Sequence, residues 1–136
     1  MQLDNSMKVL VVDDFSTMRA VVTKLLVELG FSNIIEASDG EEAWQKLQSG
    51  DFNLVVCDWN MPKMTGIELL NKIKEDSQFQ SIRFILITAE AKPHQIIEAA
   101  VAGVDAYIVK PFSAETLYEK IVKVFNSDLN VKPAGE

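Results

Sequence analysis

Five times along this chain a short apolar run, rich in β-branched residues, gives way to a longer stretch whose apolar positions recur at helical spacing. The first run, Lys8 to Val12, has almost no polar alternation and suits a strand covered on both faces. After it, Met18, Val21, Val22, Leu25, Leu26 and Leu29 form one helical stripe, which Ser16 is placed to cap and Gly30 to stop. Ile34 to Ala37 is the second strand, and Asp39 to Glu42 reads as a capping-box variant opening a helix that runs through Trp44 and Leu47 to Gly50. Phe52 to Cys57 is the third strand, followed after a loop by a helix that Thr65 and Glu68 open at capping-box spacing. Arg83 to Thr88 is the fourth strand, and its helix carries Pro93 in the first turn and Gly103 at the stop. Ala106 to Val109 is the fifth strand, and residues 113–125 are a last amphipathic helix. Five strands alternating with five helices predict an α/β fold with a parallel, doubly wound sheet, because right-handed crossovers place helices on both faces.

Size and charge narrow the functions open to such a fold. With 136 residues, 48% of them hydrophobic, the chain is one domain with a full core. A net charge of -7 argues against a nucleic-acid backbone or an anionic membrane as partner, since both want clustered Lys and Arg. Cys57 is the single cysteine, so neither an intramolecular disulfide nor a thiolate zinc site is expected, and a reducing compartment fits. The first residues, Met-Gln-Leu-Asp-Asn-Ser-Met-Lys, lack a signal-like apolar segment, and no apolar run approaches the ~20 residues of a membrane span. A cytoplasmic, monomeric protein is expected.

In doubly wound sheets ligands bind beyond the carboxyl ends of the strands. There the chain places Asp13 and Asp14 after the first strand, Asp58 after the third, Thr88 at the end of the fourth and Lys110 after the fifth. Each has a plain reading by itself. The aspartates suit a helix start or a turn, Thr88 a strand, and Lys110 a solvated surface. Convergence of all five on one crevice is what calls for a function. Carboxylates about 4 Å apart repel by roughly 4 kcal/mol at an effective dielectric near 20, so a positive partner is required. A hard cation such as Mg²⁺ fits an all-oxygen donor set, whereas zinc is disfavoured without His or Cys donors. Carboxylate, Mg²⁺, ammonium and hydroxyl around one point suit phosphoryl transfer, where catalysis is mostly positioning and charge stabilisation. Elsewhere, His94 reads as surface, Cys57 as a buried small hydrophobe, and Met18, Met61 and Met64 as packing.

The segments "VLVVDDFSTMR", "VVCDWNMPKMTGIELL", "ITAEAK" and "AGVDAYIVKPF", with their spacing, resemble a response-regulator receiver domain of the single-domain chemotaxis type. The resemblance covers about residues 7–126, leaving 1–6 and 127–136 as flexible termini. It implies a flavodoxin-like sheet in the order 2-1-3-4-5. It also implies that Asp58 accepts a phosphoryl group from a sensor histidine kinase, in the manner of a signalling domain more than an enzyme. Asp13, Asp14, Asp58 and the carbonyl of Asn60 would hold Mg²⁺, with Asp13 acting through water. Lys110 and Thr88 would contact the phosphoryl oxygens, and Thr88 and Tyr107 would form the switch. Asn60 and Glu90 would tune dephosphorylation, and the Lys110–Pro111 peptide would be cis. Ala91, Lys92, Tyr107 and Lys120 would belong to a face that docks on the flagellar motor switch, with a phosphatase as a further partner. Pro93 and the tail beyond residue 126 depart from the family pattern and bear on partner specificity.

Three rivals share parts of this pattern. A flavodoxin-like FMN carrier would need backbone donors and hydroxyls after strand one, not carboxylates that repel phosphate. A haloacid-dehalogenase-like phosphohydrolase would end its first strand in the nucleophile, with a second Asp two residues on, where this chain has Phe15. A receiver serving as phosphate sink or phosphorelay carrier, without motor binding, keeps every residue above.

Overall fold

The structure, a computed structural model, describes residues 5–90 and 92–129. Its elements are β1 (Lys8–Val12), α1 (Ser16–Glu28), β2 (Asn33–Ala37), α2 (Gly40–Gln48), β3 (Leu54–Asp58), α3 (Gly66–Glu75), a 3-10 turn (Ser77–Phe79), β4 (Arg83–Thr88), α4 (Pro93–Ala102), β5 (Ala106–Val109) and α5 (Ala114–Leu129). The strands form one sheet in the order β2-β1-β3-β4-β5. Every neighbouring pair is parallel, as the alternation of elements requires.

Both faces of the sheet are covered, and the two-residue period of the strands sorts their side chains between two cores. Leu10, Val12, Val55, Cys57, Phe84 and Leu86 pack with Ala43 and Leu47 of α2, Leu69, Leu70 and Ile73 of α3, and Ala99 of α4. Val9, Val11, Leu54, Val56, Ile85 and Ile87 pack with Val22 and Leu26 of α1 and Leu117, Ile121 and Val124 of α5. Full burial of each such aliphatic side chain is worth about 1.5–3 kcal/mol. Cys57 is fully buried, with its Sγ against the Asp58 carbonyl at 3.2 Å, and burial pushes its thiol pKa well up. Met61 is buried, Met18 and Met64 pack against the cores, and His94 is exposed, as their sequence settings indicate.

The helix boundaries follow their caps with three corrections. Asp39 caps α2 by accepting from Glu42 N–H at 2.8 Å, while Glu42 reaches back to Ser38 and not to the cap residue itself. Thr65 and Glu68 form a reciprocal capping box on α3, and Gly103 closes α4 in the left-handed region at φ 91°. Ser16 is no cap: it is the first residue inside α1, whose cap residue Phe15 makes no side-chain bond. The reason is local, since the Asp13 carboxylate already accepts the Phe15 N–H at 2.9 Å. Gly50 is not a left-handed stop, because α2 ends at Gln48 with Ser49 as its cap. The third strand runs Leu54–Asp58, later than Phe52–Cys57, because Asn53 is tied on both sides to Lys8 before the ladder begins. α5 continues to Leu129, three residues past 126, the last residue assigned to the domain. Ala91 and terminal residues 1–4 and 130–136 lie outside the described residues.

Candidate functional site

A parallel sheet ends all its strands on one edge, so residues far apart in sequence meet there. β1 stops at Val12, in register with Ala37 and Cys57, which sets Asp13 and Asp14 beside Asp58 at the end of β3. Asp58 pairs with Ile87 and Thr88 with Val109, so Thr88 and Lys110 reach the same edge. The end of β3 is held down by close packing. The Trp59 N–H donates to Ile87 O and the Gly66 N–H to Trp59 O, both at 2.9 Å. A side chain at position 66 would put its Cβ 2.6 Å from the Asp58 carbonyl and 2.8 Å from Leu86, so only glycine allows α3 to start so close to the acidic residue.

Asp13 and Asp58 are buried, at 1% and 6% exposure, and Asp14 is half-buried. One carboxylate oxygen from each lies within 4.8 Å of the others. The Lys110 ammonium is 2.9 Å from Asp58 Oδ1 and 4.0 Å from Asp13 Oδ2. One lysine does not balance three carboxylates. Burial raises the pKa of Asp13, aided by the Asp58 and Asp14 charges and opposed by the Phe15 N–H and Lys110. Burial likewise raises Asp58, aided by the Asp14 charge and opposed by Lys110 and the Trp59 N–H. Asp13 Oδ2 and Asp14 Oδ1 are buried with no hydrogen-bond partner. Buried anionic oxygens without a donor are costly, and a hard divalent cation bound by carboxylates satisfies them. The residues therefore fit Mg²⁺, with Asp13, Asp14 and Asp58 as the group that could hold it.

The remaining predicted residues divide around this pocket. Thr88 is buried at 5%, but its hydroxyl donates to the Glu90 carbonyl at 2.8 Å and accepts the Glu90 N–H at 3.3 Å, so it faces the β4–α4 loop. Asn60 is exposed in the loop after β3. The Glu90 side chain pairs with Lys92 at 3.1 Å. Tyr107 is half-buried, with the Lys120 ammonium 5.7 Å from its ring centroid. Thr88 and Tyr107 line a small cavity together with Trp59, Gln95 and Ile96 among others. The Lys110–Pro111 peptide is cis. Arg19 of α1 received no role from the sequence, yet its Nη1 donates to the Asp13 backbone carbonyl at 2.6 Å. Its only sequence signal is a cation six residues after Asp13, on a helix whose neighbouring positions pack on the sheet.

The site is thus an acidic, cation-fitting pocket with a lysine beside it, at the carboxyl edge of a flavodoxin-like α/β sheet. Residues 9–122 match the family model described as the response regulator receiver domain. The chain is 57% identical over 123 residues to chemotaxis protein CheY-3 of Vibrio cholerae, covering 90% of this chain and 95% of that protein. It is 55% identical over 119 residues to chemotaxis protein CheY of Pseudomonas aeruginosa, covering 88% and 96% of the two chains. The solved structure of Vibrio cholerae chemotaxis protein CheY4 superposes with a TM-score of 0.82 at 34% identity, covering 88% of this chain and 98% of that one. The chain belongs to the response regulator receiver family and is a CheY-like receiver of a two-component system. Among the described residues, no helix is long and apolar enough to cross a membrane.

Proposed function

We propose that Asp58 accepts a phosphoryl group from the phosphohistidine of a sensor kinase, and that the phosphorylated chain signals by docking on the flagellar motor switch. The observation that carries the proposal is the buried Asp58 carboxylate held 2.9 Å from the Lys110 ammonium, with Asp13 and Asp14 beside it. An Asp58 oxygen attacks phosphorus as the phosphorus–nitrogen bond breaks, leaving an acyl phosphate on the chain and a neutral imidazole on the donor. Asp14, Asp58 and the Asn60 carbonyl would hold Mg²⁺, with Asp13 reaching it through water, and the ion would supply charge neutralisation at the phosphoryl oxygens. Lys110 shifts from the carboxylate to a phosphoryl oxygen, and the Thr88 hydroxyl leaves the Glu90 carbonyl for another. Releasing that bond frees the β4–α4 loop, and the movement of Thr88 toward the phosphoryl group vacates space into which the Tyr107 ring turns, changing the surface around Lys92 and Lys120. Asn60 and Glu90 set how readily water reaches the acyl phosphate.

Two experiments separate the chemistry from the readout. With acetyl phosphate and Mg²⁺, intact mass should rise by one phosphoryl group and return on hydroxylamine treatment, and Asp58→Ala should take up none. Equal uptake by that variant refutes the acceptor assignment. An N-terminal peptide of a motor switch protein should bind the beryllofluoride-activated chain more tightly than the untreated chain. Equal affinities refute motor docking and leave a phosphate sink or carrier.

A further inference from the structure

Asp13 is the most deeply buried of the three acidic side chains, and it is gripped at three points. Its N–H donates to Ala37 O at 3.2 Å, its Oδ1 accepts from Phe15 N–H at 2.9 Å, and its carbonyl accepts from Arg19 Nη1 at 2.6 Å. The grip leaves Oδ2 buried, 4.0 Å from the Lys110 ammonium and with no hydrogen bond of its own, on a carboxylate that clusters with those of Asp14 and Asp58. Arg19 is fixed in turn. Its Nε donates to Glu36 Oε1 at 2.9 Å, and the other Glu36 oxygen lies 3.4 Å from the Thr23 hydroxyl. The pair is graded from inside to outside, with the Arg19 side chain 18% exposed and the Glu36 side chain 44%. One planar guanidinium therefore bridges a backbone carbonyl of the pocket and a carboxylate on β2, which a point-charge ammonium cannot do.

From this geometry we infer that Arg19, anchored by Glu36, is a positioning residue for the cation site: it fixes the Asp13 main chain so that Oδ2 is presented to the ion. The inference rests on the reading of the pocket as a Mg²⁺ site. Partners that orient metal ligands in this way change metal affinity about 10–100-fold when removed. Glu36 serves a second purpose, cancelling the charge of a guanidinium that would otherwise repel the ion from nearby.

The direction of the effect separates positioning from charge. If Arg19 acted only as a cation near the pocket, removing it would tighten Mg²⁺ binding. As a positioning residue, its removal loosens binding. If its role were confined to tethering α1, Arg19→Met would lower the melting temperature and leave Mg²⁺ affinity alone. The experiment is Mg²⁺ titration calorimetry on the full chain, paired with thermal melts in EDTA, for wild type, Arg19→Met and Arg19→Lys. Affinity should fall about tenfold or more in Arg19→Met and by a smaller factor in Arg19→Lys, whose ammonium reaches the carbonyl or Glu36 but not both. Unchanged or tightened binding in Arg19→Met overturns the inference. Should that variant not fold, Arg19→Lys decides, since wild-type affinity there leaves no role for the two-point grip. A wild-type chain with no Mg²⁺ heat would take down the reading of the pocket itself, whereas wild-type binding with indifferent variants takes down only the positioning role.

Discussion

Asp14→Asn should make the metal-free protein more stable. Carboxylate oxygens within 4.8 Å of one another repel by about 3.5 kcal/mol per pair at an effective dielectric of 20. Asp14 faces two such neighbours, and its charge pushes up the pKa of both Asp13 and Asp58. Asp14 is half-buried, so water screens a large part of that repulsion, and about 1–2 kcal/mol should remain. The amide also replaces a partnerless buried oxygen with a group able to donate to the adjacent carboxylates. For a chain of this length the gain corresponds to about 3–8 °C in melting temperature. The measurement is a circular-dichroism melt in EDTA at pH 7.5, repeated with Mg²⁺. Wild type should gain stability from Mg²⁺, about 2.7 kcal/mol at a hundredfold excess over Kd, and the variant should gain little. The pH dependence has a definite sign. Raised folded-state pKa values mean that the penalty from ionised Asp13 and Asp58 is absent below the ordinary value of 3.8 and appears as pH rises through the raised values. The advantage of Asp14→Asn should accordingly shrink as pH falls toward 4. A metal-free variant that melts at or below wild type at pH 7.5 would refute the electrostatic account of the pocket.

Asn60→Met and Glu90→Leu should each lengthen the lifetime of the phosphorylated form several-fold, because both positions are exposed and polar and would become apolar shields; unchanged half-lives would remove them from that role. Lys63 holds φ 69°, so Lys63→Val should cost about 1–2 kcal/mol in urea melts, whereas Lys63→Gly should cost little despite losing the exposed 3.8 Å contact with Asp39. Equal costs would mean that the left-handed backbone is not what the position demands. Hydrogen bonds from Ser38 hold Glu42 down to a pKa of about 2. Its contribution is therefore present above the ordinary value of 4.5 and lost as pH falls toward 2, and the stability gap between wild type and Glu42→Gln should close over that window.

The fold was legible because its signals are periodic and repeated. Residues 8–12 read as a strand covered on both faces and residues 83–88 as another strand, and the capping box at Thr65 needs only local spacing. The meeting of Asp13, Asp14, Asp58 and Lys110 was equally legible, since a parallel sheet gathers strand ends without any knowledge of side-chain geometry. Boundaries set by competition between hydrogen bonds were not. Ser16 falls one residue inside α1, behind a turn that the Asp13 carboxylate fixes at the Phe15 N–H, and the start of β3 was displaced by the Asn53 ties to Lys8. Nor does a sequence reveal that the Thr88 hydroxyl turns to the Glu90 carbonyl, or that Arg19 holds the carbonyl of Asp13. Both contacts end on the main chain, whose acceptors are the same at every position and leave no mark in the residue types.

Cys57 is the single cysteine of the chain, fully buried on the central strand one residue before Asp58. A thiol reagent in solution cannot meet it until β3 is exposed by an opening of the sheet, so the rate of modification by excess reagent becomes a clock for that opening. The same burial leaves the native surface without a competing thiol. A cysteine introduced at an exposed position could carry a dye or spin label alone, and Cys57 would report, in the same sample, on whether the labelled protein stays folded.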